Sequence, residues 1–256
     1  MTAKVLDRMS WPEVRTEIEG GRTTVVIALG ATEQHALHMP LATDALLGDE
    51  LARRVAERLH AFLAPTLRVG CSEHHVGFPG TMSLTPGTYH AVIAELVASL
   101  LKGGFERIVL VPTHGGNFGP LGEAVERLPA DDRAHVVALT DLGALFEVAM
   151  AGEREYGVPL GEGGLHAGEW ETSMLLAIHP ELVHMDRAEA GYTGDMETAV
   201  QSIFEAGVAS ISPNGAIGDP ARASAIHGEH YWELVEGLVL EQVQAQTQPP
   251  PERPGR

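Results

Sequence analysis

Directly after the apolar run "TVVIAL" at 24–29, the sequence places Glu33, Gln34, His35, His38 and Asp44 within a dozen positions. Two carboxylates and two imidazoles so close to the end of a buried segment either cap and solvate a loop or hold something charged. If the extended chain continues past the run, Glu33 and His35 are two residues apart and point to the same side. Asp44 opens the next helical pattern, where a carboxylate is favourable in its own right. Singly, each residue has such an ordinary explanation. Together with His114, which follows another apolar run, they make a cluster. Mixed carboxylate and imidazole ligation suits Zn²⁺, Mn²⁺ or Fe²⁺ better than Ca²⁺ or Cu⁺. A carboxylate such as Asp44 can bridge two ions, which then stand about 3.5–4 Å apart and can share a hydroxide.

A second cluster is "GEGGLHAGEWETS" at 161–173. If a helix starts near Ala167, His166 and Glu169 stand three residues apart and Glu171 lies around the side. Glu169 and Glu171 would complement the dipole of a first helical turn. His166 lies in the Gly-rich approach, where the backbone can come close to a ligand.

The elements that must position these residues follow from the patterning. Apolar runs at 24–29, about 63–69, 107–111 and 135–140 read as strands. Their continuous apolar character suits a sheet covered on both faces. Helical patterns cover 44–60, a stretch from the Thr85 N-cap and Pro86 to the stop at Gly103–Gly104, then about 167–178, 195–208 and 221–245. Strands alternating with helices predict a three-layer α/β/α sandwich around a mostly parallel sheet. Polar residues follow each strand: Thr32 to His35, then Ser72, Glu73, His74 and His75, then His114 and Asn117, then Asp141. In a parallel sheet these ends share one edge, where such folds place their ligands.

Bulk properties narrow the field. The 256 residues carry a net charge of −18, which disfavours nucleic-acid and anionic-membrane partners. A single cysteine, Cys71, excludes an intramolecular disulfide and a Cys-rich zinc site, and packing is its expected role. The N-terminus lacks the apolar core of a signal peptide, and no run is long enough for a membrane helix. A soluble, cytoplasmic protein is expected: one catalytic domain over 1–245 and a Pro-rich, disordered tail over 246–256. No H-E-x-x-H, Walker A or G-x-G-x-x-G motif occurs. "THGGN" resembles an esterase oxyanion loop, but there is no G-x-S-x-G elbow to supply a serine.

With these residues in view, the sequence resembles the creatininase family of metal-dependent amidohydrolases. The resemblance rests on "GATEQHALHMPLATD" (30–44), "SEHHVGFPGT" (72–81), "THGGN" (113–117), "LHAGEWETS" (165–173) and "GAIGDP" (215–220), in family order and spacing. It implies two divalent ions per chain, Zn first with Mn or Fe as alternatives. Glu33 and His114 would hold one ion, His35 the other, and Asp44 would bridge. It also implies a homo-oligomer, commonly a hexamer. Two departures stand out. The family's namesake takes a further ligand from a Glu two residues after the His of the third motif, where this chain has Gly116. Glu169 is the expected replacement, with Glu171 behind it. The namesake also closes over its substrate with tryptophans near the fourth motif, whereas "GEGGL" has none.

The expected activity is hydrolysis of a C–N bond other than a peptide bond, in a small cyclic or linear amide, by a metal-activated hydroxide. The alternatives are a family peptidase or a formamide hydrolase of cofactor biosynthesis and, in a different class, a metal-binding protein without turnover. His166 is the expected general acid for the leaving amine, and Glu171 would orient it or a ligand. Ser72, Glu73 and His74 are expected to line the substrate pocket, with Gly115, Gly116 and Asn117 presenting backbone to it.

Overall fold

A computed structural model describes residues 3–247. Its centre is β2 (Thr24–Leu29), and five strands lie in the order β1-β3-β2-β4-β5, all parallel. The others are β1 (Lys4–Val5), β3 (Phe62–Leu63), β4 (Arg107–Pro112) and β5 (Val136–Ala138). Alternate residues of each strand face opposite layers. Val26, Ala28, Val109 and Val111 pack with α2 (Thr43–Arg58), α8 (Glu169–Ile178) and α10 (Ala225–Thr247). Val25, Ile27, Leu29, Ile108 and Leu110 pack with α1 (Trp11–Glu19), α3 (Pro86–Lys102) and α4 (Phe118–Arg127). This is the expected α/β/α sandwich. The remaining helices are the single turns α5 (Ala130–Arg133) and α7 (Leu160–Gly163), with α6 (Leu142–Tyr156) and α9 (Met196–Ala206).

Several boundaries move for physical reasons. The run expected as a strand over 63–69 pairs regularly only at Phe62–Leu63. Pro65 has no N–H for the ladder, and the chain rejoins β2 only at the Leu29–Leu67 bridge. The strand expected at 135–140 is regular over Val136–Ala138 alone. The helix expected from Ala167 begins at Glu169, because Ala167 takes a left-handed conformation (φ 50°). Asp141 is no strand-end site residue: it is exposed and caps α6, accepting a hydrogen bond from Ala144 N. Helices α1, α4 and α6 were not expected, although α1 carries a readable start in its Ser10–Glu13 capping box. At the C-terminus α10 continues to Thr247, and Gln246 donates to Ala138 O at 3.2 Å. The first two residues of the expected tail are therefore helical, and 248–256 lie outside the described residues. Among the described residues no helix is long and apolar enough to cross a membrane.

The strand order opens a crevice at one edge of the sheet. From β2 the chain steps to β3 on one side, then crosses to β4 on the other, so the ends of β2 and β4 flank a switch point. Ligands of open parallel sheets sit in such a crevice.

Candidate metal centre and active site

The loop after β2 delivers Glu33 and His35, the loop after β4 delivers His114, and the first turn of α2 delivers Asp44. All four are buried, Glu33 and His35 completely. His35 Nε2 lies 3.3 Å from Asp44 Oδ1, and His114 Nδ1 lies 3.4 Å from Asp44 Oδ2 and 3.2 Å from Glu33 Oε1. The far nitrogens are tied back. His35 Nδ1 donates to Glu33 O at 3.2 Å, and His114 Nε2 donates to Cys71 O at 3.2 Å with Ser72 Oγ at 3.3 Å. Such outer hydrogen bonds fix the tautomer that leaves the inner nitrogen's lone pair free for a metal.

The segment before α8 completes the cluster. Short antiparallel pairing with Ile217 of the "GAIGDP" loop holds His166, which donates from Nε2 to Gln34 O at 2.7 Å. Its Nδ1 points inward, 3.7 Å from Glu33 Oε1. Glu171 accepts from Ala167 N at 2.6 Å, and the left-handed Ala167 turns that N–H towards it. Ligand atoms of Glu33, His35 and Asp44, of His35, His166 and Glu171, and of Glu33, His75 and His166 lie within 4.8 Å of one another in each group.

The electrostatics belong to a site built around positive charge. Burial opposes charge on His35, but Asp44, Glu171 and Glu33 outweigh it and push its pKa up to about 9. Burial likewise opposes charge on His114, and Glu33 and Asp44 raise its pKa well above the usual range. Glu171 is pushed up to about 7, by burial first and by the charges of Asp44 and Glu33, against the pull of His35. Burial, with neighbouring imidazoles, holds His75 and His166 well below the ordinary histidine value. Both oxygens of Glu33, Oδ2 of Asp44 and Nε2 of His35 are buried without a hydrogen-bond partner. Orphaned acceptors at this density are costly without a partner. The residues present fit two hard-to-borderline cations sharing Asp44, as in a dinuclear Zn or Mn site.

Some expectations require correction. Glu169 is not near this cluster. Its fully buried carboxylate accepts from Ser173 Oγ at 2.8 Å and Tyr231 Oη at 2.7 Å and pairs with His227 Nδ1 at 2.7 Å, tying α8 to α10. On the helix that starts at Glu169, this side chain falls on the face of α8 that packs against α10, whereas Glu171 lies beside His35 and His166. Asn117 does not face the pocket either. Its amide donates to Leu29 O and Gly30 O at 3.0 Å and accepts from Cys71 N at 2.9 Å, so it ties three loops together. Ser72 is buried beneath His114, and Glu73 is exposed on an outer cleft. His74, Gly115 and Gly116 do line the cavity above the cluster.

Two contributors were missed. Gln34, read only as a loop residue, donates from its amide to Gly215 O at 3.1 Å and to His75 Nδ1 at 2.9 Å. His75, the less regarded of a histidine pair, thereby presents Nε2 to Glu33 Oε1 at 3.3 Å. The sequence signal was present in both cases, as a polar residue flanked by cluster members. Gly116 also gains a reason. A Cβ there would lie within 2.8 Å of the Cys71 carbonyl oxygen, His114 Nε2 and His74 Cε1. The His74 ring stacks on His114 at 5.7 Å and 12°, filling the space a larger residue at 116 would need.

Comparison with known proteins agrees with this architecture. The family model Creatininase (creatinine amidohydrolase) matches residues 7–243. The chain is 35% identical over 226 residues to a mycofactocin precursor peptide peptidase of Mycobacterium ulcerans, covering 84% of this chain and 83% of the relative. It is 30% identical over 190 residues to a creatinine amidohydrolase of Pseudomonas putida, covering 70% and 73%. A solved Glu→Gln mutant of creatininase, of Zn–Zn type, superposes with a TM-score of 0.81 at 26% identity, covering 97% of this chain and all of that one. Fold, cluster and comparisons define a metal-dependent hydrolase acting on carbon–nitrogen bonds. The chain belongs to the creatininase family.

Proposed function

We infer that this protein hydrolyses an amide bond within a peptide, as a processing peptidase of the kind that acts in cofactor biosynthesis, at a dinuclear metal centre. The observation that carries the site is Asp44, whose two oxygens each face a different, backbone-anchored imidazole. Support for a peptide over creatinine comes from the peptidase relatives, which match more of this chain at higher identity than the creatinine amidohydrolase does. Gly116 supports it too, since the namesake's Glu has no room there.

In this reading Glu33 and His114 would hold one ion, His35 and Glu171 would hold the other, and Asp44 would serve both. When bound there, two divalent ions such as Zn or Mn would supply Lewis acidity and an acidified water. The chain supplies orientation and proton movement. Asp44, Glu33 and Glu171 provide the negative charge that the cations require. His166 is neutral because burial disfavours its charged form. With Nε2–H fixed on Gln34 O, its Nδ1 lone pair accepts the proton released as water attacks. The same nitrogen then donates that proton to the departing amine, which is a poor leaving group unless protonated. His166 thus serves as base first and acid second. Gln34 holds both His166 and His75 in register.

The test is elemental mass spectrometry on protein purified without chelator, followed by mass-spectrometric assay of a peptide panel and of creatinine. Two equivalents of Zn or Mn and cleavage of a peptide are expected. Turnover of creatinine alone would move the reading to the small-amide branch. No metal after reconstitution and no turnover would leave a binding protein. The oligomer implied by family membership is read separately by light scattering.

A further inference from the structure

The cavity above the cluster is lined by polar residues of the cluster and its loops and by apolar side chains of two helices. The cavity encloses about 190 Å³. Glu33, Asp44, His114, His166 and Glu171 are among its polar lining residues. Its apolar lining comes from Leu142, Leu145 and Phe146 of α6 and from Val200, Ile203 and Phe204 of α9. In each helix the spacing i, i+3, i+4 puts the three side chains on one face. Among the described residues no lysine or arginine lines the cavity, and its acidic side chains are Glu33, Asp44 and Glu171. Val200 is 38% and Phe204 71% exposed, although both belong to this lining. The exposed Phe204 ring lies 5.6 Å from the ring of His74.

A charged group against these apolar side chains would lose part of its water and gain no partner from them, which is costly. A small polar amide would leave them wet. An apolar group would cover them and gain from doing so. We propose that the substrate carries an uncharged apolar group, of aliphatic or aromatic side-chain size, beside its scissile C–N bond, held against the apolar lining from α6 and α9, with Phe204 setting specificity. This rests on the reaction proposed above.

The test uses metal-loaded enzyme and short blocked peptides sharing one scissile bond. The flanking residue is varied among Phe, Leu, Glu and Lys, first on the acyl side and then on the amine side. In one series Phe and Leu are expected to exceed Glu and Lys in kcat/KM by about tenfold or more. Phe204→Glu should raise KM for the apolar peptides by about tenfold, with kcat less affected, and Phe204→Leu should restore most of it. Because Phe204 is exposed, an unchanged melting temperature is expected for both variants. Binding is read independently in metal-free protein, by quenching of Trp170 emission with N-benzylacetamide against acetamide, with Trp170→Phe as the blank. Selective quenching by the aryl amide supports the apolar lining as a binding surface even if no peptide is cleaved, in which case only the proposed reaction fails. Equal turnover of charged and apolar peptides, or equal quenching by the two amides, overturns the proposal.

Discussion

Asp44 sits between two imidazoles from different loops, with Oδ1 3.3 Å from His35 Nε2 and Oδ2 3.4 Å from His114 Nδ1. One carboxylate therefore faces two separate imidazole nitrogens, one from each loop. Asp44→Asn replaces one of those oxygens with an amide nitrogen, which cannot ligate. Since even outer partners of a metal ligand cost 10- to 100-fold in affinity, the loss here should exceed about 100-fold. Titration with Zn²⁺ monitored by calorimetry checks this, with both binding steps expected to weaken. Loss of only one step would show that Asp44 does not bridge.

Glu169 and Glu171 are two residues apart and do different work. Glu169→Leu leaves Ser173, His227 and Tyr231 without their shared acceptor, and should cost about 3 kcal/mol of stability by urea titration. It should leave two metal equivalents in place. Glu171→Gln should lower the metal content towards one equivalent without lowering the stability of the metal-free protein. The reverse pattern would return the ligand role to Glu169.

Restoring a glutamate at position 116 should not build a ligand. Its Cβ would collide with Cys71, His114 and His74, and overpacking of this kind costs about 1–3 kcal/mol. Gly116→Glu is expected to melt earlier and to bind no more metal than the parent. Gain of a tighter second metal site would show that the loop gives way.

Stability should fall on the acid side. Burial, reinforced by the charge on His35, holds the His38 pKa down to about 4. In the unfolded chain a histidine takes its proton near 6.5. Between those values the unfolded state binds more protons, so this contribution is fully present above about pH 6.5 and is lost as pH falls towards 4. His74, held down to about 4 by burial and by His114, lies on the same limb, as do His75 and His166. Urea titrations of metal-free protein from pH 7 to 4.5 should show this decline, and His38→Gln should reduce its slope by about one proton. His38 suits the test because it stands outside the proposed ligand set, hydrogen-bonded through Nε2 to Thr172 Oγ1 at 2.9 Å.

The layered fold was legible in the sequence because burial on both faces leaves continuous apolar runs such as "TVVIAL", and because caps such as Thr85–Pro86 are local chemistry. Glu33, His35, Asp44 and His114 were legible for a related reason: parallel strands bring their ends to one edge, so polar residues after different runs must meet. What tertiary structure decided were directions. A left-handed Ala167 precedes α8, whose start lies two residues later than the pattern suggests, and only the packed helix shows Glu169 between α8 and α10 and Glu171 beside His35 and His166. Asn117 carries the same polar groups wherever it points, and only the approach of Leu29, Gly30 and Cys71 makes it a tie between loops. The apolar lining from α6 and α9 depends on two helices, distant in sequence, meeting at one cavity. Residue type sets which chemistry is available. Backbone angle and the packing of remote segments set which atom meets which.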